Sequence, residues 1–401
     1  MMNQKQGRSK ALFTNLLIFL LATTLWAPSI HLFFRPDIAQ YRNRDQIPIK
    51  ARMLLARHLQ IWSDPVLRQK ELAKMQERNP EWDFMSRTYF VLALANIALA
   101  DKTYKKQALE IIDTIIDNTI GLEDQRGIHH FLMGYGRESA WVMQPVRSQF
   151  IDGEIALMLA ARRFVEEKQA YQLLLRKRVE VMIERMRQSP VLCAESYPNE
   201  CWIFCNTTAL AAIRLADLLD GTDHSAFFTA WLDTARDRLL DPQTGMLISA
   251  FGVDGTPGPS GPGPEGTSIW MAAHMLQIIS PKFAADQYMR ARRHLFRTFL
   301  GFGYSREWPV NGESSPDVDS GPIVPLLGAS TGASGLAFIS AAGFHDQEML
   351  QALLTSLQFA GFPEEKEQQL YYRASNPVGD AVLLYAVVEG PLWQAAQERI
   401  P

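Results

Sequence analysis

Residues 206–240 read NTTALAAIRLADLLDGTDHSAFFTAWLDTARDRLL and contain two helices of different character. The first, 206–220, is built from small apolar residues and carries little charge. The second, 224–240, shows an apolar stripe among acids and arginines. A helix apolar on most faces is surrounded by protein, whereas a helix with one apolar stripe lies at the surface. The link Gly221–His224 is tight, so the pair reads as an inner helix turning back into an outer one.

The same pair recurs along the chain, with a helical hydrophobic period almost everywhere past residue 45. Small-residue apolar segments fall at 84–101, 149–165, 206–220, 267–280, 321–342 and 377–389. Charged amphipathic segments fall at 104–119, 168–188, 224–240, 282–300, 346–360 and 391–399. Six inner and six outer helices in strict alternation predict an all-α fold, an (α/α)6 toroid over residues 81–399. An irregular bundle or a solenoid is the competing arrangement. Residues 45–80 are expected to form helices packed on the barrel. Inner-to-outer links are short, while the outer-to-inner links 120–148, 189–205, 241–266, 301–320 and 361–376 are long. All the long loops therefore gather on one face, beside the N-termini of the inner helices, and function is expected there. Thr256–Gly266 reads as an extended turn-rich segment, and Met246–Phe251 as a short strand in a hairpin.

The N-terminus is of another kind. Lys5, Arg8 and Lys10 precede the apolar run ALFTNLLIFLLATTLWAPSIHLFF at 11–34. Its length suits a membrane span of about 20 residues. The basic flank predicts a cytoplasmic stub at 1–10, a transmembrane signal anchor at 11–34 and a barrel on the periplasmic or extracytoplasmic side. A cleaved signal peptide is the alternative, but the run is long and lacks a clean small-x-small site before Pro28. A net charge of −3 gives no footprint for nucleic acid. The expected partners are the membrane, through the N-terminal helix, and a small-molecule or glycan substrate; the sequence leaves open whether the chain forms an oligomer.

Every inner helix begins beside polar residues: Glu81/Asp83, Asp152/Glu154, Cys205/Asn206, Glu265/Ser268, Asp317/Asp319/Ser320 and Asn376/Asp380. Helix capping accounts for many of them, including Asp319-Ser320-Gly-Pro322 and Asn206-Thr-Thr. It accounts less well for Glu154, which lies inside its helix. An inward carboxyl in an apolar toroid would have a raised pKa and act as a general acid near neutral pH. An ion pair with Arg147, Arg137 or Arg306 is the structural alternative. All three cysteines fall between Cys193 and Cys205. Cys205, at a helix N-terminus, is either a thiol of lowered pKa or a buried small hydrophobe. No histidine lies within ten residues of them, and Cys-x3-Cys lacks a second ligand pair, so no metal site is read there. His129-His130 is too weak a pair to add one. No Gly-x-Ser-x-Gly elbow follows a strand. Tyr135, Trp141, Tyr197, Trp202, Trp308, Tyr371 and Tyr372 lie in or beside the long loops, suited either to a ligand cleft or to covering the core.

The run Tyr197-Pro-Asn-Glu-Cys-Trp-Ile-Phe-Cys205-Asn206, the following helix, and then Gly221-Thr-Asp223 and Leu240-Asp-Pro-Gln-Thr-Gly245 resemble linalool dehydratase-isomerase. The likeness extends weakly over residues 82–390. It implies an (α/α)6 barrel, export, and acid–base dehydration and isomerisation of acyclic terpene alcohols without a cofactor. It also implies two pocket cysteines, Cys205 and, if a short insertion precedes Pro198, Cys193. The chain departs from that family in having Glu154 at the place of a pocket histidine. It also lacks a clear counterpart of an early pocket aspartate and tyrosine, and its Asp317–Pro322 segment is foreign to the family. The expected catalytic residues are thus Glu154, Cys205, Cys193 and Asp319. Asn206, Asp152, Asp317, Trp141, Trp308 and Tyr372 are expected to contact substrate. A carbohydrate-active enzyme (glycoside hydrolase, polysaccharide lyase or epimerase) and a non-catalytic envelope protein are the competing functions on the same barrel.

Overall fold

The computed structural model describes residues 2–43, 46–257, 263–310 and 317–400, without the side chains of residues 2–9 and 317. Helices α1 (Met2–Trp26) and α2 (His31–Phe34) lead into α3 (Ile49–Ser63) and α4 (Pro65–Arg78). Then come α5 (Pro80–Ala100), α6 (Lys105–Arg126), α7 (Gln149–Val165), α8 (Gln169–Gln188), α9 (Ile203–Asp220) and α10 (Ser225–Arg238). The series ends with α11 (Gly266–Met275), α12 (Pro281–His294), α13 (Thr331–Gly343), α14 (Gln347–Ala360), α15 (Pro377–Val388) and α16 (Pro391–Gln397).

The odd-numbered helices from α5 to α15 form the inner layer. Each packs on the next, and α15 packs back on α5, so the series closes into an (α/α)6 toroid. Burial follows composition. All of α7 is buried, and so are the residues of α5 from Phe84 to Ala98 apart from Met85. Outer helix α8 buries only one stripe, Tyr171, Leu175, Val179, Met182, Ile183, Arg185 and Met186. Gly153 permits a close inner contact: a Cβ there would stand 3.3 Å from both the Cys205 carbonyl oxygen and the Ala209 nitrogen. Asn79 caps α5 and Asn376 caps α15, each followed by a proline whose missing N–H costs nothing in a first turn. Helices α3 and α4 lie against α15 and α5.

The long-loop face carries short antiparallel strands. They are β1 (Cys201–Trp202), β2 (Ala250–Phe251), β3 (Phe296–Phe299), β4 (Phe302–Ser305), β5 (Asp317–Val318), β6 (Gly321–Val324), β7 (Ala329–Ser330), β8 (Pro363–Lys366) and β9 (Gln369–Tyr372). Four sequence expectations change here. The fifth inner helix begins at Thr331 instead of 321, because Gly321–Val324 pair with both β5 and β7. Pro322 and Pro325 lack helical donors, and Leu326 and Gly328 take φ of 67° and 63°. Asp319-Ser320 is thus a hairpin turn, and Ser330 is the cap of α13, accepting from the Ala333 N–H at 3.0 Å. The fourth outer helix ends at His294, where β3 folds back on β4 through Leu300 and Gly301 at φ 48° and 83°. Helix α9 starts at Ile203, which puts Asn206 inside its first turn rather than at its cap. From the expected strand at 246–251 only Ala250–Phe251 forms, and it pairs with β1. Part of the Thr256–Gly266 segment, residues 258–262, lies outside the described residues.

Helix α1 is exposed along its described length. Within Lys10–Gln40 an 18-residue run reaches a mean hydropathy of 1.8, long and apolar enough to cross a membrane.

Candidate functional site

The inner helix N-termini and the long loops line a half-open cavity of about 820 Å³. Acids stand around it: Glu81 at the first turn of α5, Glu200 before β1, Glu265 before α11, Glu307 after β4, and Asp319 at the β5–β6 turn. Tyr135, Phe150, Tyr197, Phe204 and three tryptophans, Trp82, Trp202 and Trp308, supply aromatic wall, and Cys205 lies among them. Arg78 is the cation of the described lining.

These groups are positioned by specific bonds. The Tyr197 hydroxyl donates to Glu81 Oε1 through a short contact and accepts the Met133 N–H at 2.9 Å. The Tyr135 ring stacks on Tyr197 with centroids 4.6 Å apart, and its hydroxyl reaches Asp319 Oδ2 at 3.4 Å. The Asn79 amide donates to the Asp319 carbonyl oxygen at 2.9 Å, which ties the β5–β6 turn to the start of α5. Glu307 accepts from Thr267 N at 3.0 Å and from the Thr267 and Ser330 hydroxyls, each at 2.5 Å.

Burial sets the electrostatics. It pushes Glu81 up to about 7, helped by the charge of Asp319 and opposed by the bond from Tyr197. It pushes Glu265 up to about 8, with the charges of Glu307 and Asp319 adding and a bond from Trp308 opposing. Glu200 and Glu307 are also raised by burial. Neutral carboxyls are therefore available near neutral pH, where exposed ones would be ionised.

Glu154 sits one helical turn beyond Phe150, below the lining. It accepts the Thr88 hydroxyl at 2.6 Å and has no arginine partner among the described contacts; burial, with the charge of Glu81, raises it to about 8. The anticipated ion pair belongs to Asp152 instead, which Arg147 and Arg178 hold together with Glu123. Of the other expected site residues, Cys205, Asp319 and Trp308 line the cavity. Cys193 is buried beside Trp231 of α10, its thiol pushed up to about 12. Asn206 is a clasp, bonded to both the N–H and the carbonyl of Ala194 and to the Trp202 carbonyl. Trp141 meets His129 edge-on, and Tyr372 is buried with its hydroxyl 2.9 Å from that of Tyr41. The side chain of Asp317 lies outside the described residues. All three cysteines are free and buried, and burial raises the Cys205 thiol far above its ordinary range rather than lowering it. Desolvation here outweighs the helix N-terminus.

Sequence reading missed Glu200 and Glu307, noted Glu81 and Glu265 only as polar residues at helix starts, and took Tyr197 only as an aromatic. Glu307 precedes the recognised Trp308 and lies opposite the start of α11, a proximity created by the β3–β4 hairpin.

Residues 148–377, more than half the chain, match the family described as linalool dehydratase/isomerase. The chain belongs to the linalool dehydratase/isomerase family. The match begins at Ser148, just before α7, and takes in α7 to α14 with their loops, ending at the first residue of α15. Of this family member's cavity acids, Glu200, Glu265, Glu307 and Asp319 fall inside the matched region and Glu81 outside it. Two solved structures share a helical likeness. A GH76 α-mannanase from Bacteroides thetaiotaomicron aligns with a TM-score of 0.47 at 9% identity, over 78% of this chain and 87% of its own. A family 76 glycoside hydrolase from a bovine Bacteroides thetaiotaomicron strain aligns with a TM-score of 0.42 at 10% identity, over 77% and 69%. Neither likeness bears on function.

Proposed function

We propose that the cavity removes water from, or isomerises, an unsaturated alcohol by acid–base catalysis. The carrying observation is a pair of cavity acids, Glu81 and Glu265, poised at about 7 and about 8 among three tryptophans. A protonated carboxyl gives its proton to the departing hydroxyl as the C–O bond breaks, and the oxygen leaves as water. A carboxylate takes a proton from the neighbouring carbon, and that C–H electron pair becomes the new double bond. Isomerisation returns water to the other end of the allylic system. Glu81 is the acid, positioned by the Tyr197 hydroxyl, and Asp319 is the base. The tryptophan faces stabilise positive charge developing on carbon. Cys205 shapes the floor, and Glu154 is kept neutral below it by burial and the charge of Glu81. The family's name supports this class of reaction, and α1 supports a membrane-anchored protein with the barrel outside the cytoplasm.

The density of acids at the cavity favours a second reading, a sugar-binding enzyme, because carboxyls and tryptophan faces also suit a pyranose ring. Incubation of the full chain with linalool, geraniol or myrcene, with products followed by gas chromatography, separates the two. Turnover that disappears in Glu81→Gln supports the first. Absence of turnover by folded protein, together with release of sugar from glycosides, overturns it. Cys205→Ser should impair the first reaction and spare the second.

A further inference from the structure

We infer that the toroid lies against the bilayer by one particular side, formed by α2, the tip of the β3–β4 hairpin and the C-terminal end of α14. The inference rests on reading α1 as a membrane span. Only residues 27–34 separate the end of α1 from the point where the chain docks on the barrel, and they are mostly helical. At about 1.5–2 Å per residue the tether is on the order of 12–16 Å. Docking is aromatic: Phe34 lies 6.3 Å from Phe302 and 5.0 Å from Phe359, and Phe302 lies 5.0 Å from Phe359.

Around this joint the surface is apolar. Phe33, Phe299, Phe359 and Phe362 are 76%, 53%, 49% and 63% exposed. Among the described residues, these are all the exposed phenylalanines outside α1. The exposed Leu300 continues the patch at the hairpin tip, where Gly301 abuts His31. A groove of about 510 Å³, lined by Phe34, Phe359 and Phe362, opens beside it. A soluble face would not gather its exposed phenylalanines within one short tether of a membrane helix, whereas aromatic and leucine side chains insert readily at the acyl boundary. Arg373 in the groove and Ala374 in the cavity lining are consecutive, so the docked side borders the candidate site.

Fluorescence quenching in liposomes tests this with the full chain. A thiol-reactive environment-sensitive dye is attached to Leu300→Cys, or to Leu173→Cys on α8, where the native leucine is 65% exposed; the native cysteines are buried. Lipids carrying a nitroxide near the headgroup end of the chain should quench the dye at 300 at least twofold more than at 173. Equal quenching while the protein resists alkaline extraction overturns the docked side and leaves the membrane span standing. Alkaline release of the protein overturns the span itself. A concentration-dependent blue shift at 300 in detergent, without lipid quenching, assigns the face to a second copy and also overturns the inference.

Discussion

Asp152 and Glu154 are two residues apart on one helix, are equally buried, and live in opposite surroundings. Asp152 faces the outer layer and is held by two arginines; Glu154 faces the axis and meets only a threonine hydroxyl. The contrast extends across the molecule. Carboxyls between the helix layers, such as Asp83 with Arg87 and Asp220 with Arg163, are paired with cations. Glu81, Glu154 and Glu265, which face the axis and its cavity, are instead raised by burial. Outer acids hold the layers together, and inner acids store protons. Burial alone does not separate the two roles, nor does a single cation always suffice: Asp380 pairs with Arg57 and is still raised to about 7 by burial.

The contrast can be broken from the outer side first. Arg178→Ala leaves Asp152 and Glu123 with Arg147 alone, and loss of one partner from a buried ion network costs about 3–5 kcal/mol. Urea unfolding in detergent should show that loss, and an unchanged midpoint would mean the network holds nothing. From the inner side, Glu81→Gln keeps the shape but removes the proton donor. It should lower turnover at pH 7 by about 10²–10⁴-fold with the unfolding midpoint nearly unmoved, as read by product formation and urea titration together.

A third test uses pH. Glu154 stays protonated in the fold up to about 8, against 4.5 when unfolded. Its stabilising contribution is complete below pH 4.5 and is lost as pH rises toward 8, by at most about 1.4 kcal/mol per unit. Glu154→Gln should therefore gain on the native chain between pH 5 and 8, and parallel stability curves would refute the raised pKa. Tyr197→Phe removes a bond that lowers the Glu81 pKa, so the alkaline limb of the activity profile should move to higher pH, with a stability cost of about 1 kcal/mol. A limb that stays in place would disconnect Tyr197 from the acid. At the bottom of the scale, Asp233→Ala breaks an exposed pair with Arg236 and should change stability by less than about 0.5 kcal/mol.

Much of the architecture was legible because the signal is local. The second inner helix was expected at 149–165 and occupies those residues. The errors fell where strands replaced helix ends, at Phe296–Phe299 and Gly321–Val324. There a short apolar run cannot declare its period, and pairing with a distant strand decides. Among the site residues, Cys205, Asp319 and Trp308 were recognised by their place at a loop or helix start. Glu307 and Glu200 stand in turns whose approach to the cavity depends on hairpins, and Tyr197 acquires its role from Glu81, 116 residues away.

What the sequence determined by itself is the alternation of fully apolar and striped helices, and with it the toroid and the face that bears the long loops. Helical periodicity and loop length are written into neighbouring residues. The tertiary structure alone decided which carboxyls keep their charge. On α7, two residues turn the side chain by about 200°, from arginines on one side to Thr88 on the other. A protonation state depends on those partners, which come from α5, α8 and the loop before α7, and no local pattern in the helix names them.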